Sequence, residues 1–266
     1  MRDHFGRLIR YLRVSVTDRC NLCCSYCVAD ASRDSEIGEA LPLDSMAAIV
    51  RAAVSLGVDK VRITGGEPLL REGLFDFVSS LSSIPGLGTL AMTTNGTHLA
   101  PAARELASAG LMSVNVSLDS IDPDEYGRMT GGGRLSDALS GIAAAKEAGL
   151  DVKLNVVVDA HDPSSAARER AVADYAQDIG ATLQTIRRYE PFSPKIDDPD
   201  YDRPPPCAAC DRIRLLSDGR LLACLHSAAV LPVDLEHIEE SILACVAMKS
   251  ARGYTATIAS LREIGG

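Results

Sequence analysis

From Leu12 to about Tyr189, short apolar runs rich in β-branched residues alternate with longer stretches of helical period. That alternation is the signature of βαβ units on a parallel sheet. Six strands are predicted, at 12–17, 60–65, 89–95, 113–119, 152–158 and 182–189. Between the first two, residues 44–56 carry Met46, Ile49, Val50, Ala53 and Val54 at i, i+3, i+4, i+7 and i+8, the stripe of an amphipathic helix. Further helices are predicted near 100–109, 136–148 and 164–179, several followed by a glycine suited to the C′ position. Crossovers of this kind are right-handed, so six units curl into an α/β fold with a partial (βα)6 barrel of parallel strands.

The pattern breaks at 191–194 and again from 197 to 206, where proline and aspartate replace any core period. Residues 191–206 therefore read as a linker between a barrel at 1–190 and a small C-terminal domain at 207–266. That domain shows a hairpin (213–215, the turn Ser217-Asp218-Gly219, then 221–224) and one amphipathic helix around 235–248. Its core is thin, and a metal staple there is physically welcome.

Composition is ordinary for a globular chain, at 46% hydrophobic and 24% charged, which sets aside disordered and fibrous classes. A net charge of -9 repels polyanions, so no nucleic-acid partner is expected. The start, Met1-Arg2-Asp3-His4, carries no apolar signal-like run, and no stretch approaches the roughly 18 apolar residues of a membrane span. A cytoplasmic location without a membrane partner is expected.

Eight cysteines then change the picture. Reducing compartments disfavour structural disulfides, so metal is the first reading. Cys20, Cys23, Cys24 and Cys27 crowd one segment, Cys207, Cys210 and Cys224 form a second group, and Cys245 stands alone. Two abutting CxxC pairs could hold zinc, although zinc knuckles are normally separated by a loop. Read instead as CxxxCxxC, Cys20, Cys24 and Cys27 offer three thiolates to a [4Fe-4S] cluster, leave one iron open and make Cys23 a spare thiol. The segment follows the first strand, at the barrel mouth where active sites assemble. The second strand ends at the same mouth in Gly65-Gly66-Glu67-Pro68, whose glycines allow close backbone approach and whose carboxylate can accept from an ammonium group. The second group, C-x2-C-x13-C, has no fourth ligand in pattern. A zinc reading there recruits His226 or His237.

Cys20, Cys24 and Cys27 together with Gly65-Gly66-Glu67-Pro68 resemble the radical S-adenosylmethionine superfamily. Its members bind the methionyl amine and carboxylate on the open iron and cleave the sulfonium to a 5′-deoxyadenosyl radical. The resemblance implies hydrogen abstraction from a substrate, with an electron donor such as flavodoxin or ferredoxin.

Residues 12–21, 62–68, Thr93-Thr94-Asn95-Gly96, 115–119, 128–131 and 152–155 are closer still to one branch, the GTP 3′,8-cyclases of molybdenum cofactor biosynthesis, which are lyases. The likeness resumes at 207–214, Cys224 and the terminal Gly265-Gly266. It implies that Tyr26, Gly65, Gly66, Glu67 and Ser117 hold S-adenosylmethionine. It places Arg13, Lys60, Arg62, Thr93, Lys153, Arg212 and Arg214 around GTP or another anionic small substrate. It also implies that Arg212, Arg214, Gly265 and Gly266 are catalytic, and that Cys207, Cys210 and Cys224 carry a second [4Fe-4S] cluster whose open iron meets the substrate base. A homodimer is compatible with it. The residues agree on one point independently: cations inside strand patterns such as Val-Arg62-Ile and Val-Lys153-Leu need an interior anion or a partner carboxylate.

The chain departs from the branch in being shorter between Lys153 and Cys207 and after Cys224. Gln184 and Glu190 stand where the branch has Arg and Met, with Arg187-Arg188 close by. The competing function class is a radical enzyme that reuses the same barrel and auxiliary cluster on a peptide or a specialised metabolite. A non-catalytic iron-sulfur carrier would have no use for the Gly-Gly-Glu-Pro turn.

Overall fold

The computed structural model describes residues 1–27, 40–189, 194–227 and 229–254. Six parallel strands follow one another along the chain: β1 Tyr11–Ser15, β2 Lys60–Thr64, β3 Thr89–Thr94, β4 Ser113–Ser117, β5 Asp151–Val158 and β6 Thr182–Arg187. Each lies within a residue or two of its expected bounds. Helices α1 Leu43–Ser55, α2 Leu74–Ser82, α3 Leu99–Ser108, α4 Pro123–Thr130, α5 Leu135–Glu147 and α6 Ser165–Asp178 occupy the crossovers. After them come β7 Arg212–Leu215, β8 Arg220–Leu222, β9 Val230–Pro232 and α7 Ile238–Ala247. The sheet order is β6-β5-β4-β3-β2-β1-β7-β8-β9, with β6 and β9 at its edges. This is the α/β partial barrel that the alternation predicts.

Period two explains the layering. Leu12 and Val14, Val61 and Ile63, Leu90 and Met92, Val114 and Val116, and Leu154 and Val156 enter one buried apolar core. The crossover helices share that core, α1 through Met46, Ile49 and Val50 and α3 through Leu99 and Leu106. Residues between these apolar positions face the other side and, apart from Ala91 on β3, are polar: Arg13, Arg62, Asn115 and Asn155. The sheet thus has a dry helix-covered face and a wet inner face.

Two helices were not singled out by apolar period. The first, α2, is short. The second, α4, is polar and held by its ends: Asp122 accepts from Glu125 N at 2.8 Å, Pro123 opens the helix, and Gly131 closes it. The segment after Cys207 continues the same sheet, because β7 pairs in parallel with β1 and β8 and β9 follow antiparallel. Ile213, Leu215, Leu221, Ile242 and Val246 join the barrel's core, so this segment draws on more apolar packing than its own sequence suggests. The linker also pairs: Arg203 makes a parallel bridge with Ile186 and so covers the edge of β6.

Candidate functional site

The inner face opens onto a cavity of about 370 Å³. Register sets its floor. Lys60, Tyr11 and Arg212 lie abreast on β2, β1 and β7, and Arg62, Arg13 and Arg214 form the next row on the same strands. Arg187, Arg188, Lys195 and Arg203 join them from β6 and the linker, and Lys153 from β5. No aspartate or glutamate is among the described lining residues. Like charges abreast on neighbouring strands repel, and burial adds a desolvation cost. The Arg13 and Arg214 guanidiniums are accordingly pushed down from the usual arginine value, by burial first and then by the surrounding cations. The Nε atoms of Arg212 and Arg214 are buried with no hydrogen-bond acceptor among the described residues. Buried donors without acceptors are costly, and an anion in the cavity would satisfy them.

Polar chains fix several of these side chains. The Arg62 guanidinium donates from Nε to Tyr11 Oη at 2.9 Å and from Nη1 to Asn115 Oδ1 at 2.6 Å. Asn115 Nδ2 in turn donates to Asn155 Oδ1 at 3.0 Å. Arg62 is therefore engaged by the protein itself, with Thr93 Oγ1 a further acceptor at 3.4 Å. Thr93, Ser117 and Lys153 line the cavity.

At the C-terminal ends of the strands the cavity meets the first cysteine group. Cys20, Cys24 and Cys27 line it, whereas Cys23 is exposed and outside the lining. The loop's backbone is held by the C-terminal turn of α4, where Cys23 N donates to Thr130 O at 3.0 Å and Ser25 N to Met129 O at 2.9 Å. Burial, then the charges of Asp119 and Cys27, push the Cys24 thiol up to about 12. A metal would have to displace that proton. Tyr26 Oη donates to Asp119 Oδ2 at 2.6 Å, and Asp119 Oδ1 accepts from Val157 N at 2.7 Å. Asp119 thereby locks the cysteine loop to β5, a role that its place in the sequence did not disclose.

The paired glycines have a specific cause. A Cβ on Gly65 would stand 2.5 Å from Thr17 O, and one on Gly66 would stand 2.4 Å from Arg19 O. Gly66 N donates to Thr17 O at 2.7 Å and Glu67 N to Arg19 O at 2.8 Å. The close approach is to the lead-in of the cysteine loop, which this turn clamps. Gly65 and Gly66 line the cavity. The Glu67 carboxylate is fully buried and accepts from Leu69 N, Thr94 Oγ1 and Asn95 N at 3.1, 2.7 and 2.7 Å. Burial outweighs these bonds and pushes it up to about 7. Asn95 Nδ2 donates to Asn21 Oδ1 at 2.9 Å, so Glu67 also orders the cysteine loop through Asn95.

The second cysteine group flanks β7 and β8, Cys207 and Cys210 before β7 and Cys224 after β8, and none of the three is among the cavity-lining residues. Lys249, buried, donates from Nζ to Arg212 O and Ala223 O at 2.8 Å each and reaches Cys210 Sγ at 3.5 Å. Burial raises the Cys210 thiol, but the Lys249 ammonium wins and holds it below the usual thiol value. Gly253 N donates to Cys207 Sγ at 3.3 Å, and Arg7 Nη1 donates to Cys207 O at 2.9 Å. Donors aimed at sulfur suit thiolate ligands. Among the described residues no three His, Cys, Asp or Glu side chains are gathered closely enough for a single metal ion. Three cysteines holding a bulkier cluster are spread more widely. His226 lines the cavity near this group, whereas His237 is exposed and its Nδ1 lies 3.2 Å from Asp234 Oδ2. Cys245 is a core thiol of α7. Gly265, Gly266 and Glu190 lie outside the described residues, while Gln184, Arg187 and Arg188 all line the cavity.

Residues 14–162 match the Radical SAM superfamily, and that span holds both the three-cysteine loop and its glycine clamp. The chain belongs to the radical SAM superfamily. The superfamily's S-adenosylmethionine and one [4Fe-4S] cluster fit Cys20, Cys24 and Cys27, which face the cavity beside Gly66 and Tyr26. Among relatives, the GTP 3′,8-cyclase of Alkaliphilus oremlandii is 36% identical over 274 residues, covering 85% of this chain and 84% of that protein. The GTP 3′,8-cyclase of Pelotomaculum thermopropionicum is 49% identical over 160 residues, covering 59% of this chain and 49% of that protein. Among solved structures, Streptococcus suis SuiB bound to S-adenosylmethionine superposes with TM-score 0.66 at 16% identity, covering 82% of this chain and 61% of that one. That likeness concerns the fold. No helix of the described residues is long and apolar enough to cross a membrane.

Proposed function

We propose that this radical SAM enzyme converts GTP to a 3′,8-cyclised nucleotide in molybdenum cofactor biosynthesis, with a second [4Fe-4S] cluster on Cys207, Cys210 and Cys224. One observation carries the reading: in a chain of net charge -9, the cavity beside the three cysteines is lined by cations on two register rows and by no described carboxylate. Such a lining suits a ligand carrying several negative charges. The likeness to relatives named GTP 3′,8-cyclase supports GTP as that ligand.

Cys20, Cys24 and Cys27 would hold the cluster and, with it, S-adenosylmethionine, which would supply the radical chemistry for removing the ribose 3′ hydrogen. One electron comes from a small redox protein such as flavodoxin or ferredoxin. The protein's own residues hold the geometry. Arg13, Lys60, Arg62, Lys153, Arg212 and Arg214 neutralise the triphosphate, and Thr93 adds a hydroxyl to the nucleotide site. Tyr26, Gly65, Gly66 and Ser117 form the S-adenosylmethionine side, with Tyr26 fixed by Asp119, while Glu67, buried outside the lining, acts through the cysteine loop that it orders by way of Asn95. Strand rise of about 3.3 Å per residue sets Tyr11 and Ser15 roughly 13 Å apart, so the cationic floor and the cysteine mouth are separated by the length of an extended ligand. Gly265 and Gly266 belong to this reading as catalytic residues.

The test is anaerobic turnover of the reconstituted enzyme with S-adenosylmethionine, a reductant and GTP. GTP should raise 5′-deoxyadenosine formation and yield a cyclised nucleotide. Arg212→Ala should raise the KM for GTP about tenfold to a hundredfold, the value of about 1.5–3 kcal/mol for a lost charge-assisted hydrogen bond. Indifference of 5′-deoxyadenosine formation to GTP would sink the cyclase reading.

A further inference from the structure

We propose that Tyr11 is the internal counter-charge of the cavity floor, a positioning residue that gathers Lys60, Arg62 and Arg212 before any ligand arrives and yields that place to a polyphosphate. The inference rests on reading the cavity as a triphosphate site. Register puts Tyr11 at the centre of the first cationic row, with Lys60 on one side and Arg212 on the other. Both cations lie over its ring, Lys60 Nζ at 5.0 Å and Arg212 Cζ at 5.1 Å from the centroid. Its hydroxyl oxygen accepts from Arg62 Nε at 2.9 Å. One side chain thus touches a cation on each neighbouring strand. In the next row the equivalent centre is Arg13, itself a cation between Arg62 and Arg214.

Electrostatics point the same way. Burial raises the Tyr11 phenol, but the charges of Arg13, Arg62 and Arg212, together with the Arg62 hydrogen bond, outweigh it and bring it down to about 7. Lys60, Arg203 and Arg214 also sense Tyr11. The acidic group on the β7 side is Asp211, whose Oδ1 lies 3.6 Å from Arg212 Nε. In the ligand-free cavity the phenol loses its proton to solvent as pH rises through neutrality. A bound polyphosphate cancels the surrounding positive potential, so the phenolate takes a proton back from solvent. Polyphosphate binding is then linked to proton uptake at Tyr11. Below neutral pH the phenol is protonated in both states and the linkage vanishes. Above it, affinity falls by up to about tenfold per pH unit.

The experiment titrates the reconstituted holoprotein with inorganic triphosphate by isothermal calorimetry, in buffers of different ionisation heat and across pH. The wild type should take up more protons per triphosphate than Tyr11→Phe, the difference approaching about one above neutral pH. Its affinity should also fall more steeply with pH. Equal proton uptake and parallel pH profiles would overturn the proposal. A second measurement needs no variant: the ultraviolet difference spectrum of the wild type should show one of the seven tyrosines ionised near neutral pH and reprotonated on adding triphosphate. A spectrum without that signal would equally overturn it. Triphosphate binding with the proton signature, but without stimulation of turnover by GTP, would leave Tyr11 in its role and remove the cyclase reading. Loss of the signature with GTP turnover intact would do the reverse. Failure of triphosphate to bind at all would overturn the Tyr11 proposal, while the cyclase reading would stand or fall on the response of turnover to GTP.

Discussion

Cys23 and Cys24 are adjacent in the chain and opposite in circumstance. Cys24 lines the cavity with Cys20 and Cys27, whereas Cys23 is exposed and lies outside the lining. Replacing Cys24 by Ala should abolish 5′-deoxyadenosine formation, while Cys23→Ala should leave it near the wild-type rate. Equal loss in both would mean that the cluster uses a different set of three. Spacing alone made this choice legible, because ligands in one loop depend on local geometry. The strand cations were legible too, since a charge inside a period-two apolar pattern must face the polar side of the sheet. Tyr11 was not. The expected first strand starts one residue after it, and only its register with β2 and β7 reveals the cations around it. Asp119 and Lys249 escaped for the same reason, since their partners Tyr26 and Cys210 are 93 and 39 residues away. The Glu67 carboxylate accepts from Leu69 N, Thr94 Oγ1 and Asn95 N, partners that its place in the turn did not disclose.

At the scale of elements, the cysteine loop is a guest of three neighbours. The turn after β2 clamps its lead-in, the end of α4 holds its middle, and Asp119 after β4 holds Tyr26. Helix α4 explains why a polar segment with a glycine inside it is helical at all: its caps supply what its apolar period lacks. Gly66→Ala tests the clamp, because the added Cβ would meet backbone oxygens that no rotamer change can move. The expected cost is about 1–3 kcal/mol locally. Iron bound at the first site should fall, and with it 5′-deoxyadenosine formation by at least about tenfold. Retention of both would show that the loop does not depend on the turn.

For the whole molecule, the sheet runs without a break from the six-stranded barrel into β7, β8 and β9. The second cysteine group therefore brackets β7 and β8, with Cys207 and Cys210 just before β7 and Cys224 just after β8, and β7, which carries Arg212 and Arg214, pairs with β1. If each group holds a four-iron cluster, anaerobic reconstitution should give about eight iron and eight sulfide per chain. Removing Cys207, Cys210 and Cys224 together should leave about four, with cleavage of S-adenosylmethionine retained. Zinc at the second site, or four iron in the unaltered chain, would confine the proposal to the first cluster. This continuity was hidden from the sequence, where a proline-rich stretch at 191–206 looks like a plain tether. The pairing that joins the two parts is between β1 and β7, which the chain separates by most of its length.

That stretch has a bearing on substrate range. Arg203 N donates to Thr185 O at 3.2 Å and Arg187 N to Arg203 O at 2.9 Å, while Asp197 Oδ1 accepts from Cys207 N at 3.2 Å. The described part of this loop is thus fastened to β6 through Arg203 and to Cys207 through Asp197, and Lys195, Ile196 and Arg203 from it form part of the cavity wall. A wall made of strands has a bore fixed by their number. One made partly of loop changes its bore with loop length, and adding residues to a surface loop costs little. Evolution can therefore resize this chamber for a larger or smaller guest by insertion or deletion in one place, leaving the cysteines and the cationic floor untouched.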